Sequence, residues 1–274
     1  MLLLRLWFPQ IRKSLMSPQY RQNPSVSFAL LIVLLIPGGM RAVTESSLVA
    51  RLDSIRIPTQ SFTAIVEIRH FKGHSSVPKV DIYRSFTLAN AAPDAKSSTM
   101  LLCTRLKQDA GKRVLILKDA CWFHDSRAKR PTRIAPGQVW SQPTAADSPN
   151  WRLATDFSVS TVGGESLVCA DGRTRNCKVL EFIHKDPTSP TPYRMRYWID
   201  EAGFYWRVQH YTRSGRLFRT IDVIQYAELL GTRRVKSQRI TSGSEVAEII
   251  LTEVTARRLP PDWFEPDRFH VIQP

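Results

Sequence analysis

The stretch YRMRYWIDEAGFYWRVQHYTRSGRLFRTIDVIQY, residues 193–226, decides the fold. It holds three runs rich in aromatic and β-branched residues, Tyr193–Ile199, Phe204–Thr212 and Arg216–Tyr226. Glu201-Ala202-Gly203 and Ser214-Gly215 separate them. Runs of this composition joined by short glycine turns read as antiparallel hairpins. With Ser214-Gly215 as a two-residue turn, Arg213 faces Arg216. Val208 then faces Ile221, Trp206 faces Val223 and Arg207 faces Asp222. Apolar residues meet on one face and opposite charges meet on the other, and a slip of one residue breaks both matches. A three-residue turn over 201–203 sets Trp198 opposite Trp206. One face then carries Trp198, Phe204, Trp206, Val208, Leu217, Ile221 and Val223. Such a face must be covered. Either the N-terminal helix packs on it as ordinary core, or a curved sheet wraps it around an apolar ligand. Composition alone favours the first.

The pattern continues on both sides. Arg233–Thr241 and Glu245–Ala256 extend the meander through turns at Gly231 and Gly243. Upstream, Phe62–Phe71, Lys79–Leu88, Thr99–Leu106 and Arg113–Phe123 read as strands, with turns at Gly73 and Asp109-Ala110-Gly111. Leu167–Ala170 and Lys178–His184 make a further hairpin. Helical spacing is confined to Ser46–Ile55, where Leu48, Val49, Leu52 and Ile55 share a face and Pro58 ends the run. A second short helix fits around Asn150–Asp156. The fold class is therefore mainly β, a curved antiparallel sheet with few short helices.

The N-terminus reads as an address label. Phe28–Ile36 is a run of nine apolar residues closed by Pro37-Gly38-Gly39. It follows a basic stretch without acids and precedes small residues near Ala42, the layout of a secretory signal. A membrane span needs about twenty apolar residues. Residues 1–42 are thus a signal peptide or an N-terminal anchor, with Arg41 beside the expected cut, and residues 43–274 form one domain. The chain carries 39 Lys+Arg against 24 Asp+Glu, a net +15. Its basic residues are spread over strands, and no helix-turn-helix, zinc-finger or RNA-binding signature is present, so nucleic acid is not an expected partner.

Export permits disulfides. Cys169 and Cys177 flank Ala-Asp-Gly-Arg-Thr-Arg-Asn, a turn-rich tip, and are expected to bridge. Cys103 and Cys121 are placed about four positions out of register, too far for a bond. No G-x-S-x-G elbow, P-loop or H-E-x-x-H occurs. His70 and His74 have H-x-x-x-H spacing without a third ligand, and Asp81, Asp119 and Glu181 lie in strands without a matched partner. No catalytic residue, metal site or cofactor is expected.

The segment Trp122-Phe123-His124-Asp125-Ser126-Arg127-Ala128-Lys129-Arg130-Pro131-Thr132-Arg133-Ile134-Ala135-Pro136-Gly137-Gln138 resembles the outer-membrane lipoprotein-sorting (LolA-like) family. There a strand ending in W-x-Y leads into an R-x-P-x-R-I-x-P-x-Q loop. Asp156-Phe157, the strands around Tyr193–Asp200 and Tyr211–Leu217, Cys177 within Asn176–Glu181, and Leu259-Pro260-Pro261-Asp262-Trp263-Phe264 are similar to later family features. The resemblance spans about Ser46 to Phe264. It departs at Val139-Trp140-Ser141 and in the proline-rich Gln142–Pro149. It implies an incomplete β-barrel capped by helices, with a hollow that receives acyl chains. It further implies a periplasmic carrier of lipoprotein or lipid cargo, monomeric, with an inner-membrane transporter and an outer-membrane acceptor as partners. Under this resemblance the aromatic face becomes the lipid-binding hollow, and Arg127, Lys129, Arg130 and Arg133 a partner-binding loop at its mouth. A lipid- or lipoprotein-sensing regulator using the same hollow, and a hydrolase without a visible motif, are the alternatives.

Overall fold

The computed structural model describes residues 44–72, 77–89, 98–103, 111–117, 120–125, 127–134, 151–188 and 192–272. The leader, Gly73 with His74, residues 104–110, Asp119 and residues 135–150 lie outside them.

Helix α1 (Glu45–Arg56) starts where Thr44 accepts a hydrogen bond from the Ser47 N–H at 3.3 Å. It ends at Ile57, which is extended because a residue before proline avoids the helical region. Leu48, Val49, Leu52 and Ile55 form its buried stripe, as their spacing dictates. Strands β1 (Phe62–Lys72), β2 (Lys79–Leu88), β3 (Ser98–Cys103), β4 (Arg113–Ile116), β5 (Cys121–His124) and β6 (Thr132–Ile134) follow. Then come a single-turn helix α2 (Leu153–Asp156) and β7 (Phe157–Val168), β8 (Thr174–His184), β9 (Arg194–Ile199), β10 (Tyr205–Tyr211), β11 (Leu217–Leu229), β12 (Thr232–Ser242) and β13 (Glu245–Ala256). Pro261–Phe264 is a 3-10 turn.

The described strands make one thirteen-stranded antiparallel sheet in the order β6-β5-β4-β3-β2-β1-β13-β12-β11-β10-β9-β8-β7. Two meanders are joined where β1 pairs with β13, from Phe62 opposite Ala256 to Lys72 opposite Glu245. The sheet does not close, and β6 and β7 are its edges.

Strand pairing aligns one apolar row across six strands. Leu180 pairs with Tyr197, Tyr197 with Val208, Val208 with Ile221, Ile221 with Ile240, and Ile240 with Ala247. All six side chains are fully buried. Residues paired directly across strands share a face, and neighbours along a strand alternate. The opposite face therefore carries Trp198, Arg207, Asp222, Arg239, Glu248 and Arg69 in a matching row. There Arg207 Nε meets Asp222 Oδ1 at 2.6 Å and Arg239 meets Glu248 at 2.8 Å.

Three local details differ from expectation. The β10–β11 turn has three residues, Arg213-Ser214-Gly215, with Gly215 at φ +83°. An extra residue at Phe218 then restores the expected Val208–Ile221 and Arg207–Asp222 pairs. At Trp206 a bulge shifts β10 against β9, so Trp198 lies opposite Arg207 instead of Trp206. The expected strand Arg113–Phe123 is two strands, split where the Leu117 N–H bonds Ala120 O at 2.8 Å.

The C-terminal segment forms a second core on the other half of the sheet. Leu259, Phe264 and Phe269 pack with Phe86 and Leu115. Trp263 stands edge-on to Phe86 at 5.9 Å, and Arg113 donates to Phe269 O at 2.7 Å.

Replacing Ile221 by alanine removes the middle of the row. A loss of about 2–5 kcal/mol in unfolding free energy is expected from urea titration. A loss below about 1 kcal/mol would show that the row is not tightly packed.

Candidate functional site

The apolar row faces α1. Leu48, Val49, Leu52 and Ile55 belong to the same buried cluster as Leu180, Tyr197, Val208, Ile221 and Ile240. The helix packs on β12, β7 and α2. Polar contacts hold it at its C-terminal end. Arg234 of β12 donates to Ile55 O at 2.9 Å and Ile57 O at 3.2 Å, satisfying carbonyls that a helix end leaves open. Asp53 accepts from the Leu153 and Ala154 N–H groups at 2.9 and 3.1 Å and from Arg56 Nη1 at 3.3 Å. It thereby ties α2 to the last turn of α1.

The residues expected to line one hollow are divided. Val208, Ile221 and Val223 are fully buried. Phe204 lies between the guanidiniums of Arg51 and Arg233, at 4.7 and 4.6 Å, and edge-on to Tyr226 at 5.0 Å. Trp206 donates its indole N–H to Asp200 at 2.8 Å, and Arg175 stacks on its ring at 3.4 Å. Trp198 is turned to the opposite face by the bulge, where its N–H meets Glu165 at 2.9 Å. Leu217, beside the turn and ahead of the extra residue, is 44% exposed. The bulge explains the split, because one inserted residue reverses the side of everything beyond it. Leu180, Tyr197 and Ile240 belong to the row and were missed. Ile240 was within reach, since a two-residue turn at Leu230-Gly231 carries the register one strand beyond β11, but Tyr197 and, through it, Leu180 lie beyond the Trp206 bulge.

Next to that row runs a second on the same face. Phe182 pairs with Met195, Met195 with His210, and His210 with Arg219. The first three are fully buried and Arg219 is 1% exposed. Neither ring nitrogen of His210 has a hydrogen-bond partner among the described residues. Burial, followed by the charges of Arg219 and Arg56, drives its pKa well below the usual histidine value.

The expected Cys169–Cys177 bridge is not formed, and both thiols are free and buried. The hairpin pairs Cys177 with Glu165, while the Cys169 N–H bonds Arg173 O at 2.9 Å. The two cysteines are thus four residues out of register, roughly 13 Å along a strand. Burial pushes Cys177 up to about 11, with the nearby Cys169 as the second cause, so it is not a thiolate nucleophile at neutral pH. A groove of about 570 Å³ opens beside Cys177, lined by Gly163, Gly164, Glu165, Lys178 and Glu201 among others. Thr161, also in its lining, pairs with Leu180 at the β8 end of the row.

In the basic loop, Arg127 is held on Asp125 by bonds of 3.0 Å from Nε and Nη2. These bonds hold the Asp125 carboxyl far below the usual range. The loop is fastened again by His124 Nε2 donating to Ala128 O at 3.1 Å. Lys129, Arg130 and Arg133 are exposed. Of the carboxylates considered for catalysis, Asp81 meets His70 at 3.2 Å and Glu181 meets Arg196 at 2.8 Å. Among the described residues no three His, Cys, Asp or Glu side chains are placed to hold a metal, and no helix is long and apolar enough to cross a membrane.

Solved structures place this architecture. A LolA superfamily protein from Nitrosomonas europaea superposes with a TM-score of 0.66 at 20% identity, covering 82% of this chain and 98% of that one. A domain described as outer-membrane lipoprotein-sorting from Vibrio parahaemolyticus gives 0.62 at 18% identity, covering 79% and 94%. A DUF1329 family protein from Desulfovibrio piger gives 0.65 at 14% identity, covering 80% and 95%. The fold is LolA-like. A family model described as "uncharacterized protein" matches residues 95–270, and the chain belongs to that family. No curated protein matches it.

Two histidines whose pKa values are lowered set a pH dependence. His270 is also lowered, by burial first and then by His124 and Arg113; its ring lies 5.0 Å from that of His124. Where folded pKa values lie below unfolded ones, the unfolded chain binds more protons as pH falls. This contribution is therefore complete above the unfolded value of about 6.5 and is lost as pH drops toward the folded values. The urea midpoint should fall between pH 7 and pH 5, and the fall should be smaller in His210→Phe. A midpoint that is flat over this range in the wild type would show that neither histidine is held neutral by the fold.

Proposed function

We propose that this protein is a periplasmic carrier that takes acyl chains of lipoproteins or other lipids into the space between α1 and the six-strand apolar row. The observation behind this reading is the cover itself. The row is buried and continuous over six strands, yet among the described residues its cover is slight: the twelve-residue α1 with four buried apolar side chains, joined by Trp151 and Leu153, shares one cluster with the row from Leu180 to Ile240. Those four side chains contribute about 6–12 kcal/mol of burial at about 1.5–3 each. A chain of about sixteen carbons gains a similar amount, at ~0.8 kcal/mol per methylene. Cargo and helix can therefore exchange on one surface at small net cost, as a carrier that must also release its load requires.

Three further features support the reading. The lipoprotein-sorting domain from Vibrio parahaemolyticus shares the fold, and its stated role supplies the cargo class. The exposed Lys129, Arg130 and Arg133 offer a basic surface to an acidic membrane partner, either the inner-membrane transporter or the outer-membrane acceptor. The leader delivers the domain to the compartment where such cargo is found.

Native mass spectrometry of protein purified without detergent tests the binding. Discrete added masses that disappear on solvent extraction, together with transfer of a labelled lipoprotein from donor to acceptor vesicles, are the expected result. Binding without transfer would favour the sensing regulator. A protein that neither retains nor takes up acyl lipids would overturn both.

A further inference from the structure

The second inward row changes character halfway across the sheet. Phe182 and Met195 are apolar, then His210 and Arg219 stand side by side on adjacent strands, with no exposed surface for the first and 1% for the second. The Arg56 side chain, also 1% exposed, comes from the last turn of α1, where its Nη1 is held on Asp53 at 3.3 Å, and its charge and that of Arg219 both act on the imidazole. Phe218, with its ring centroid 6.0 Å from that of His210, closes one side. An imidazole this deeply buried normally satisfies at least one nitrogen. Neither nitrogen of His210 does so within the described residues.

A histidine that only filled space would be replaced by an aromatic or aliphatic residue at no loss. Burying it with two open nitrogens beside guanidinium groups costs free energy that a bound acceptor would recover. A neutral imidazole donates one N–H, and guanidinium groups favour oxyanions. The position, at the polar end of an otherwise apolar face, suits the junction between an acyl chain and its head group.

We infer that His210 and Arg219, joined by Arg56 from the covering helix, form an anion-binding subsite that receives the negatively charged head group of an amphiphilic cargo, a carboxylate or a phosphate. This rests on the carrier reading and narrows it: a free fatty acid or a phospholipid meets the subsite, whereas a neutral ester of equal chain length does not. Because Arg56 belongs to α1, the head group touches both the sheet and its cover.

Competition against a fluorescent acyl probe tests it on the full mature chain, with dodecanoate, dodecyl phosphate and methyl dodecanoate as competitors. At least one anion should bind about tenfold or more better than the ester, as one charge-assisted hydrogen bond gives. The preferred anion separates the fatty-acid source from the phosphate source. The ratio of anion to ester affinity should fall to about one in His210→Phe and in Arg219→Met. Both replacements are apolar and similar in size, and a melting curve confirms folding. Arg239→Met, on the outer face, should keep the wild-type ratio and so controls for general charge. Equal affinity of anions and ester in the wild type overturns the subsite and leaves the carrier standing. An unchanged ratio in both inner variants overturns it also. Binding of none of the three overturns subsite and carrier together.

Discussion

Leu180, Tyr197, Val208, Ile221, Ile240 and Ala247 stand in line across β8 to β13, and none has any exposed surface. A sheet row of this length cannot face water, and everything on the concave side follows from the need to cover it. Among the described residues the cover is α1, whose four buried side chains pack with Trp151, Leu153 and the row from Leu180 to Ile240. Arg234 and Asp53 then fix where the helix ends and how α2 leans on it. On the opposite face the same register places Arg207, Asp222, Arg239 and Glu248 in alternation. One set of strand pairings therefore sets both the dry face and the charged one.

Much of this was readable before any coordinates. The Val208–Ile221 and Arg207–Asp222 pairs were legible because apolar and charge matching point to the same register. Helix α1 was legible because four apolar residues keep helical spacing up to a proline. The resemblance to lipoprotein-sorting proteins carried the open sheet. The Trp206 bulge was not legible, because an inserted residue leaves composition and spacing almost unchanged, and it moved Trp198 to the far face. Ten of the twelve residues of β7, Phe157–Ser166, were missed because it is an edge strand. Phe157-Ser158-Val159-Ser160 alternates at its start, but the exposed residues from Ser160 to Ser166, with Gly163-Gly164 among them, carry no apolar pattern. The cysteine bridge failed for a related reason. Sequence shows that two cysteines flank a turn but not which residues oppose each other across it.

The buried polar pair was visible only in three dimensions. In sequence, His210 and Arg219 are nine positions apart among many basic residues, and neither belongs to a motif. Pairing across β10 and β11 brings them together, and burial under α1 gives them a meaning that exposed residues would lack. The same helix thus covers an apolar row suited to a chain and a polar pair suited to its head.

That α1 and cargo share one surface is the central claim. Hydrogen exchange measured on residues 43–274, with and without a saturating acyl ligand, tests it most directly. Amides of Leu48–Ile55 should exchange faster when ligand is bound, while those of β10 and β11 stay protected. Equal or slower exchange over Leu48–Ile55 in the loaded protein would contradict the claim, because the chain would then lie somewhere other than beneath the helix.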